Sequence, residues 1–126
     1  EQGSTSPEII LDGAHNPAGV RALVEYIRSF YAGRKMWLVY GVMRDKAVAE
    51  MAHMLFPLAH RVILTMPENS RAMPPEMIPA PAAAITHHIA EAVALATLEA
   101  QAQPGAVVFI TGSLFVVGEA RALLVQ

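Results

Sequence analysis

Short apolar runs alternate along the chain with stretches whose apolar residues recur at helical spacing. Glu8–Asp12 (EIILD) is a β-branched run that predicts a buried strand. Pro17 can open a helix, because its missing N–H costs nothing in a first turn. Val20, Leu23, Val24 and Ile27 follow at helical spacing, and the pattern fades near Tyr31–Gly33. Lys35–Val42 (KMWLVYGV) predicts a second strand ending at Gly41. Asp45 is placed to cap a helix over Lys46–Phe56, striped by Val48, Met51, Ala52 and Leu55 and stopped by Pro57. Arg61–Met66 (RVILTM) predicts a third strand. Pro67–Pro81 is a proline-rich loop with a short helical turn after Pro74–Pro75. Ala82–His87 holds one short strand, and Ile89–Ala102 is a helix with Glu91 in its first turn. Gln103–Gly105 turns into Ala106–Thr111 (AVVFIT), another strand. Ser113 then caps a final helix over Leu114–Val125.

Apolar strands alternating with helices define an α/β domain, with a mostly parallel sheet covered on both faces. Ligands of such sheets bind in the crevice outside the carboxyl ends of the strands. Three polar clusters fall at those ends. The first is Asp12-Gly13-Ala14-His15-Asn16-Pro17. Asp12 can accept hydrogen bonds from paired hydroxyls such as those of a ribose. His15 can donate to a phosphate or stack on a base, and a helix N-terminus attracts anions. Equally, Asp12 and Asn16 are residues that satisfy turns of their own. The second cluster is Gly41-Val42-Met43-Arg44-Asp45-Lys46, where Arg44 and Lys46 can hold a phosphate or carboxylate or stand solvated beside a helix cap. The third is Thr111-Gly112-Ser113, where small residues allow close approach and Ser113 can cap or bind.

Composition narrows the function classes. A chain of 126 residues, 54% hydrophobic and 16% charged, is one folded domain. The net charge of −2 carries no basic excess for nucleic acid. No apolar run approaches a membrane span, and the polar Glu1–Glu8 lacks the hydrophobic segment of a signal peptide. Without Cys there is no disulfide or thiolate metal site, and a cytoplasmic location is the default expectation. Residues 1–7 (EQGSTSP) read as a polar arm or linker and residues 8–126 as the domain. The first residue is not Met, so the expectation is a piece cut at a domain boundary. The phosphate-cradling G-x-x-x-x-G-K-[ST] and the dinucleotide G-x-G-x-x-G are both missing. Asp12, His15 and Ser113 do not make a hydrolytic triad, since Ser113 lies outside G-x-S-x-G. No metal site is expected: the side chains of His87 and His88 diverge in either a strand or a helix. His53 and His60 read as surface residues, and the methionines as core filling.

Leu11-Asp12-Gly13-Ala14-His15-Asn16-Pro17 resembles the signature of the folylpolyglutamate synthase and dihydrofolate synthase family, in the Mur ligase superfamily. Thr111–Arg121 (TGSLFVVGEAR) is similar to the closing segment of that family. Gly41 and Asp45-Lys46 fall where it often has Gly followed by Asp-Lys-Asp, although Ala47 replaces the last Asp. The resemblance implies a Rossmann-like three-layer αβα domain of the Mur ligase C-terminal type. It also implies a preceding domain of the same polypeptide that holds the P-loop, the Mg²⁺ ligands and much of the folate site. By position, Asp12 would bind ATP and His15 would lie near the nucleotide and matter for activity. Ser113 would line the active-site side and, with His15, take part in catalysis, and Lys46 and Ser113 are candidates for holding glutamate. The implied chemistry joins L-glutamate to folate or dihydropteroate through an acyl phosphate made from ATP. The isolated piece would be inactive and the full enzyme monomeric, with no nucleic-acid or membrane partner. A Mur-type ligase acting on a peptidoglycan precursor, or a stand-alone nucleotide- or partner-binding module, remain the alternatives.

Overall fold

The structure, a computed structural model, describes residues 6–125. Most of the expected arm therefore lies outside the described residues. The first strand, β1, is Glu8–Leu11, and helix α1 is Pro17–Phe30. Strand β2 is Met36–Tyr40 and helix α2 is Val48–Leu55. Strand β3 (Arg61–Leu64) leads through the long loop to the two-residue β4 (Ala84–Ile85). Helix α3 (Ile89–Ala100), strand β5 (Val107–Thr111) and helix α4 (Leu114–Leu124) complete the domain. The expected turn after Pro74–Pro75 is a 3₁₀ turn over Pro75–Met77.

The five strands form one sheet in the order β1-β5-β2-β3-β4, every pair parallel. Strand β5, last in sequence, lies between β1 and β2. Its register sets Leu11 beside Ile110 and Tyr40 beside Thr111. All five residues of β2 and all five of β5 are buried. A strand covered on both faces needs apolar residues without alternation, and MWLVY and VVFIT supply them. Met36, Leu38, Tyr40, Val107 and Phe109 pack under α1 and α2. Trp37, Val39, Val108 and Ile110 pack under α3 and α4 on the other face. The small Ala92, Ala96, Ala100 and Ala120 are all buried in that second core, which lets α3 and α4 lie close to the sheet. At the opposite end of the sheet from the site, Glu99 accepts from Trp37 Nε1 and Arg61 Nε, both at 3.0 Å. The Arg61 hydrogen bond holds the Glu99 carboxyl below its ordinary range.

One expectation about a helix start is corrected. Asp45 does not cap α2: the helix begins at Val48 after Ala47, with no side-chain cap. The Asp45 carboxylate instead takes Arg71 Nη2 at 2.8 Å. Arg71 belongs to the long loop, which is zipped to the β2–α2 connection. Met73 N donates to Val42 O and Arg44 N to Arg71 O, both at 2.9 Å, around a Met43–Ala72 bridge. That distant partner outbids the local cap. Pro57 does not simply stop α2 either; it sits in a 3₁₀ turn over Phe56–Leu58 that extends it.

Candidate functional site

Strand order brings the three polar clusters together. They follow β1, β2 and β5, and β5 is the middle of these three neighbours. The chain leaves β1 toward α1 on one face and leaves β5 toward α4 on the other. Diverging connections from adjacent parallel strands open a crevice between them.

The β1 connection is built from its own side chains. Asp12 N donates to Ile110 O at 3.0 Å, which continues the ladder one residue past β1. Asp12 Oδ1 accepts from Ala14 N at 2.9 Å and fixes the turn. His15 Nδ1 lies 2.8 Å from Gly13 O. A carbonyl only accepts, so Nδ1 carries the proton. In the neutral ring Nε2 is then an acceptor. With Nδ1 engaged by Gly13 O, Nε2 is the ring nitrogen left to meet a ligand, an acceptor in the neutral ring and a donor in the imidazolium. Asn16 caps α1, its Oδ1 accepting from Gly19 N at 2.8 Å. Pro17 has no N–H and that of Gly19 is taken, so the first turn of α1 offers few donors to an anion. Asp12 and His15 are half-buried and border a depression of about 440 Å³ that reaches along α1 to Tyr26.

Two backbones meet in the middle of the site. Gly41 N donates to Thr111 O at 3.3 Å. Gly112 has φ +112°, and a Cβ there would lie 2.1 Å from Gly41 O. A Cβ on Gly41 would lie 2.9 Å from Thr65 O. Both glycines are therefore demanded by backbone contact. Ser113 follows at 1% exposure and caps α4, its Oγ accepting from Phe115 N at 3.0 Å. Asp12, His15 and Ser113 thus each bond to local backbone and form no triad. Beneath them, Thr111 Oγ1 and Tyr40 Oη are buried without a hydrogen-bond partner among the described residues. Burial pushes the Tyr40 phenol up to about 12.

The second cluster is cationic and partly fixed. Arg44 Nε donates to Ala72 O at 3.1 Å, while the side chain as a whole remains exposed. Lys46 is half-buried at the end of the same loop. Arg71 is the residue the sequence reading missed. Asn69 Oδ1 accepts from its backbone N at 2.9 Å, and its guanidinium holds Asp45. The Asn-x-Arg spacing inside a proline-rich loop was its only signal. Other sites stay apart: His87 pairs with Glu76 on the surface, and the His60 ring lies 5.0 Å from that of Trp37. Among the described residues no group of three or more His, Cys, Asp or Glu could hold a metal ion, and no helix is long and apolar enough to cross a membrane.

The diverging strand-end loops of this domain carry a carboxylate, an imidazole and basic side chains, on the edge where parallel αβα domains bind their ligands. Among the described residues, two close glycines, one buried cap and a first turn poor in donors form no cradle for a triphosphate. The comparisons with known proteins say which domain it is. The chain belongs to the Mur ligase glutamate ligase domain family, whose profile matches residues 2–114. It is 35% identical over 122 residues to a probable bifunctional folylpolyglutamate synthase/dihydropteroate synthase of Haloferax volcanii, covering 93% of this chain and 14% of that protein. Its fold superimposes on Mycobacterium tuberculosis folylpolyglutamate synthase complexed with ADP and AMPPCP. The TM-score is 0.83 and the identity 27%, over 100% of this chain and 31% of the other. A bifunctional folylpolyglutamate synthase/dihydrofolate synthase from Yersinia pestis, complexed with AMPPNP and Mn ion, matches with TM-score 0.82 and 25% identity. That match covers 98% of this chain and 30% of the other. The chain thus spans under a third of the proteins it resembles, and the αβα fold expected from the sequence is the fold of their matching domain.

Proposed function

We propose that this domain is the C-terminal, nucleotide- and glutamate-facing part of an ATP-dependent ligase that joins L-glutamate to folate or dihydropteroate. The observation that carries the reading is the gathering of three separate sequence clusters on one edge of the sheet by the insertion of β5 between β1 and β2. Its relatives' names and the nucleotides in their structures supply the chemical class.

In this reading ATP meets Asp12 and His15. Only Oδ1 of Asp12 is tied to the turn, through Ala14 N, so the carboxylate retains lone pairs for ribose hydroxyls. His15 presents Nε2, the acceptor of its neutral ring, or the ring face to the base. The residues fit a nucleoside better than a phosphate chain. Mg²⁺ and the phosphate donors then belong to a preceding domain with a P-loop. Phosphoryl transfer from ATP would convert the folate or pteroate carboxylate to an acyl phosphate, and the glutamate amine would displace phosphate. Lys46 serves the glutamate carboxylates. Ser113 is a positioning residue, because its hydroxyl is buried in the cap that orients the first turn of α4. The complete enzyme acts as a cytoplasmic monomer, with residues 8–126 as its closing domain.

The test is an acceptor panel with the complete polypeptide, read as glutamate-dependent ADP release. Dihydropteroate or folate should support turnover and a peptidoglycan precursor should not. Turnover with the wall precursor alone would move the domain to the other branch of the superfamily. No turnover with any acceptor, in a chain that starts close to Glu1, would leave a binding module.

A further inference from the structure

Two hydroxyls lie buried beneath the crevice without a hydrogen-bond partner among the described residues: Tyr40 Oη and Thr111 Oγ1, on residues that are 0% exposed. Such atoms cost stability when left alone, and native proteins satisfy nearly all of them. Val and Phe would fill the same two places with no unpaired atom, yet β5 ends in Thr and β2 in Tyr. Tyr40 lies beside Thr111 in the register of β2 and β5. On the other side of β5, the bond from Asp12 N to Ile110 O carries the β1 register one step on and sets Asp12 beside Thr111. Side chains alternate along a strand. Ile10, Phe109 and Leu38 pack into the core under α1 and α2. Asp12, Thr111 and Tyr40, each two residues further along, therefore lie on that same face. A carboxylate, a hydroxyl and a phenol thus form one row across three neighbouring strands. The Tyr40 ring reaches the strand end too: a Cβ on Gly112 would lie 3.1 Å from its Cε1. Burial pushes the phenol up to about 12, so at neutral pH Tyr40 keeps its proton and is a donor.

We infer that Tyr40 Oη and Thr111 Oγ1 hold a buried water that also bonds to Asp12, and that through it they are positioning residues for the Asp12 carboxylate. The inference rests on the ligase reading, in which that carboxylate meets ATP. The row supplies what a buried water takes. Both hydroxyls donate to the water oxygen, and the water donates to the carboxylate, which makes about the three hydrogen bonds typical of such waters. Asp12 keeps room for a ligand. A carboxylate has about four lone-pair sites, of which Ala14 N takes one and the water another. The bond from Ala14 N fixes one point of the group, and a second bond from below stops its rotation about Cβ–Cγ. A carboxylate held at both points presents its remaining lone pairs to ribose hydroxyls in one orientation, as a supporting layer of hydrogen bonds does for any binding group.

The test uses the complete polypeptide with Tyr40→Phe, Thr111→Val and Thr111→Ser, each alone and combined with Asp12→Asn. Tyr40→Phe and Thr111→Val remove the hydroxyls and keep the shapes, so the fold persists. Melting curves read the water. Hydroxyls left dry would make both variants melt above wild type, because a buried unpaired group has gone. Hydroxyls that hold a water should give melting temperatures equal to wild type or a few degrees lower. Titration calorimetry with AMPPNP reads the positioning. Tyr40→Phe and Thr111→Val should each weaken AMPPNP roughly tenfold, the scale of one hydrogen bond to a charged group. The KM for ATP should rise by the same factor with kcat nearly unchanged. Thr111→Ser keeps the hydroxyl and should bind as wild type. On Asp12→Asn the same substitutions should weaken binding by no more than about twofold, since their effect passes through the carboxylate. A raised melting temperature or wild-type affinity in Tyr40→Phe or Thr111→Val would overturn the proposal. So would a loss in Thr111→Ser equal to that in Thr111→Val, or undiminished losses on top of Asp12→Asn. A wild-type protein that binds no AMPPNP would overturn it together with the ligase reading. A protein that shows the whole pattern with AMPPNP but ligates no glutamate would refute the ligase reading alone and leave the water site standing.

Discussion

Replacing Gly112 by Ala should cost about 4 kcal/mol or more, which puts it among the rare severe substitutions. Two independent causes act at this position. Its φ of +112° lies where an L side chain is strained. A Cβ would also lie 2.1 Å from Gly41 O and 3.0 Å from Gly41 C, both backbone atoms. Gly41 has no room to retreat, because its own Cα faces Thr65 O and the Val116 side chain. Separating the two backbones would break the Gly41 N to Thr111 O hydrogen bond and part the two fully buried strands. With total stabilities of about 5–15 kcal/mol for such domains, the variant should be largely unfolded at 37 °C. Gly118→Ala provides the contrast. A Cβ there meets nothing within 4 Å, and the site is inside α4. Helix propensity alone should stabilise it by up to about 1 kcal/mol. Urea unfolding followed by circular dichroism measures both. A Gly112→Ala midpoint equal to that of wild type would mean the strand ends are not as close as described.

The second large effect is on catalysis. Asp12→Asn in the complete polypeptide should lower kcat/KM for ATP about 100-fold, the scale on which a lost positioning group acts. Asn is chosen over Ala because its amide oxygen can still accept from Ala14 N, so the turn survives. What disappears is the negative charge and one of the acceptors that the proposed reading assigns to ribose hydroxyls. The melting temperature should stay within a few degrees of wild type. A large fall in melting temperature with unchanged kinetics in the folded fraction would assign Asp12 to the turn alone.

Much of this was written locally in the chain. The continuous apolar runs of β2 and β5 announced strands buried on both faces, and both are. Ser113 before an apolar run announced a cap, and it caps. Pro74–Pro75 announced a turn, and one forms. The misses are tertiary. Asp45 had the right chemistry for a cap, but Arg71, 26 positions away, offers it a charged partner that no local pattern shows. The pairing of the long loop with Val42–Arg44 escaped notice because prolines hide any alternation there. The place of β5 in the sheet was likewise illegible, since strand order depends on crossovers rather than on residue period. That order is what brings three polar turns to neighbouring strand ends. His15 shows the limit at a single residue: its type was readable, but only the Gly13 carbonyl settles which ring nitrogen faces outward.

In the proposed enzyme this edge of the sheet faces the nucleotide. Amide hydrogen exchange of the complete polypeptide, with and without AMPPNP, tests it most directly. Exchange at Gly13–Gly19 and Gly112–Val116 should slow when the nucleotide binds, with α3 unchanged. Protection confined to the rest of the polypeptide, with these two segments exchanging as before, would contradict it.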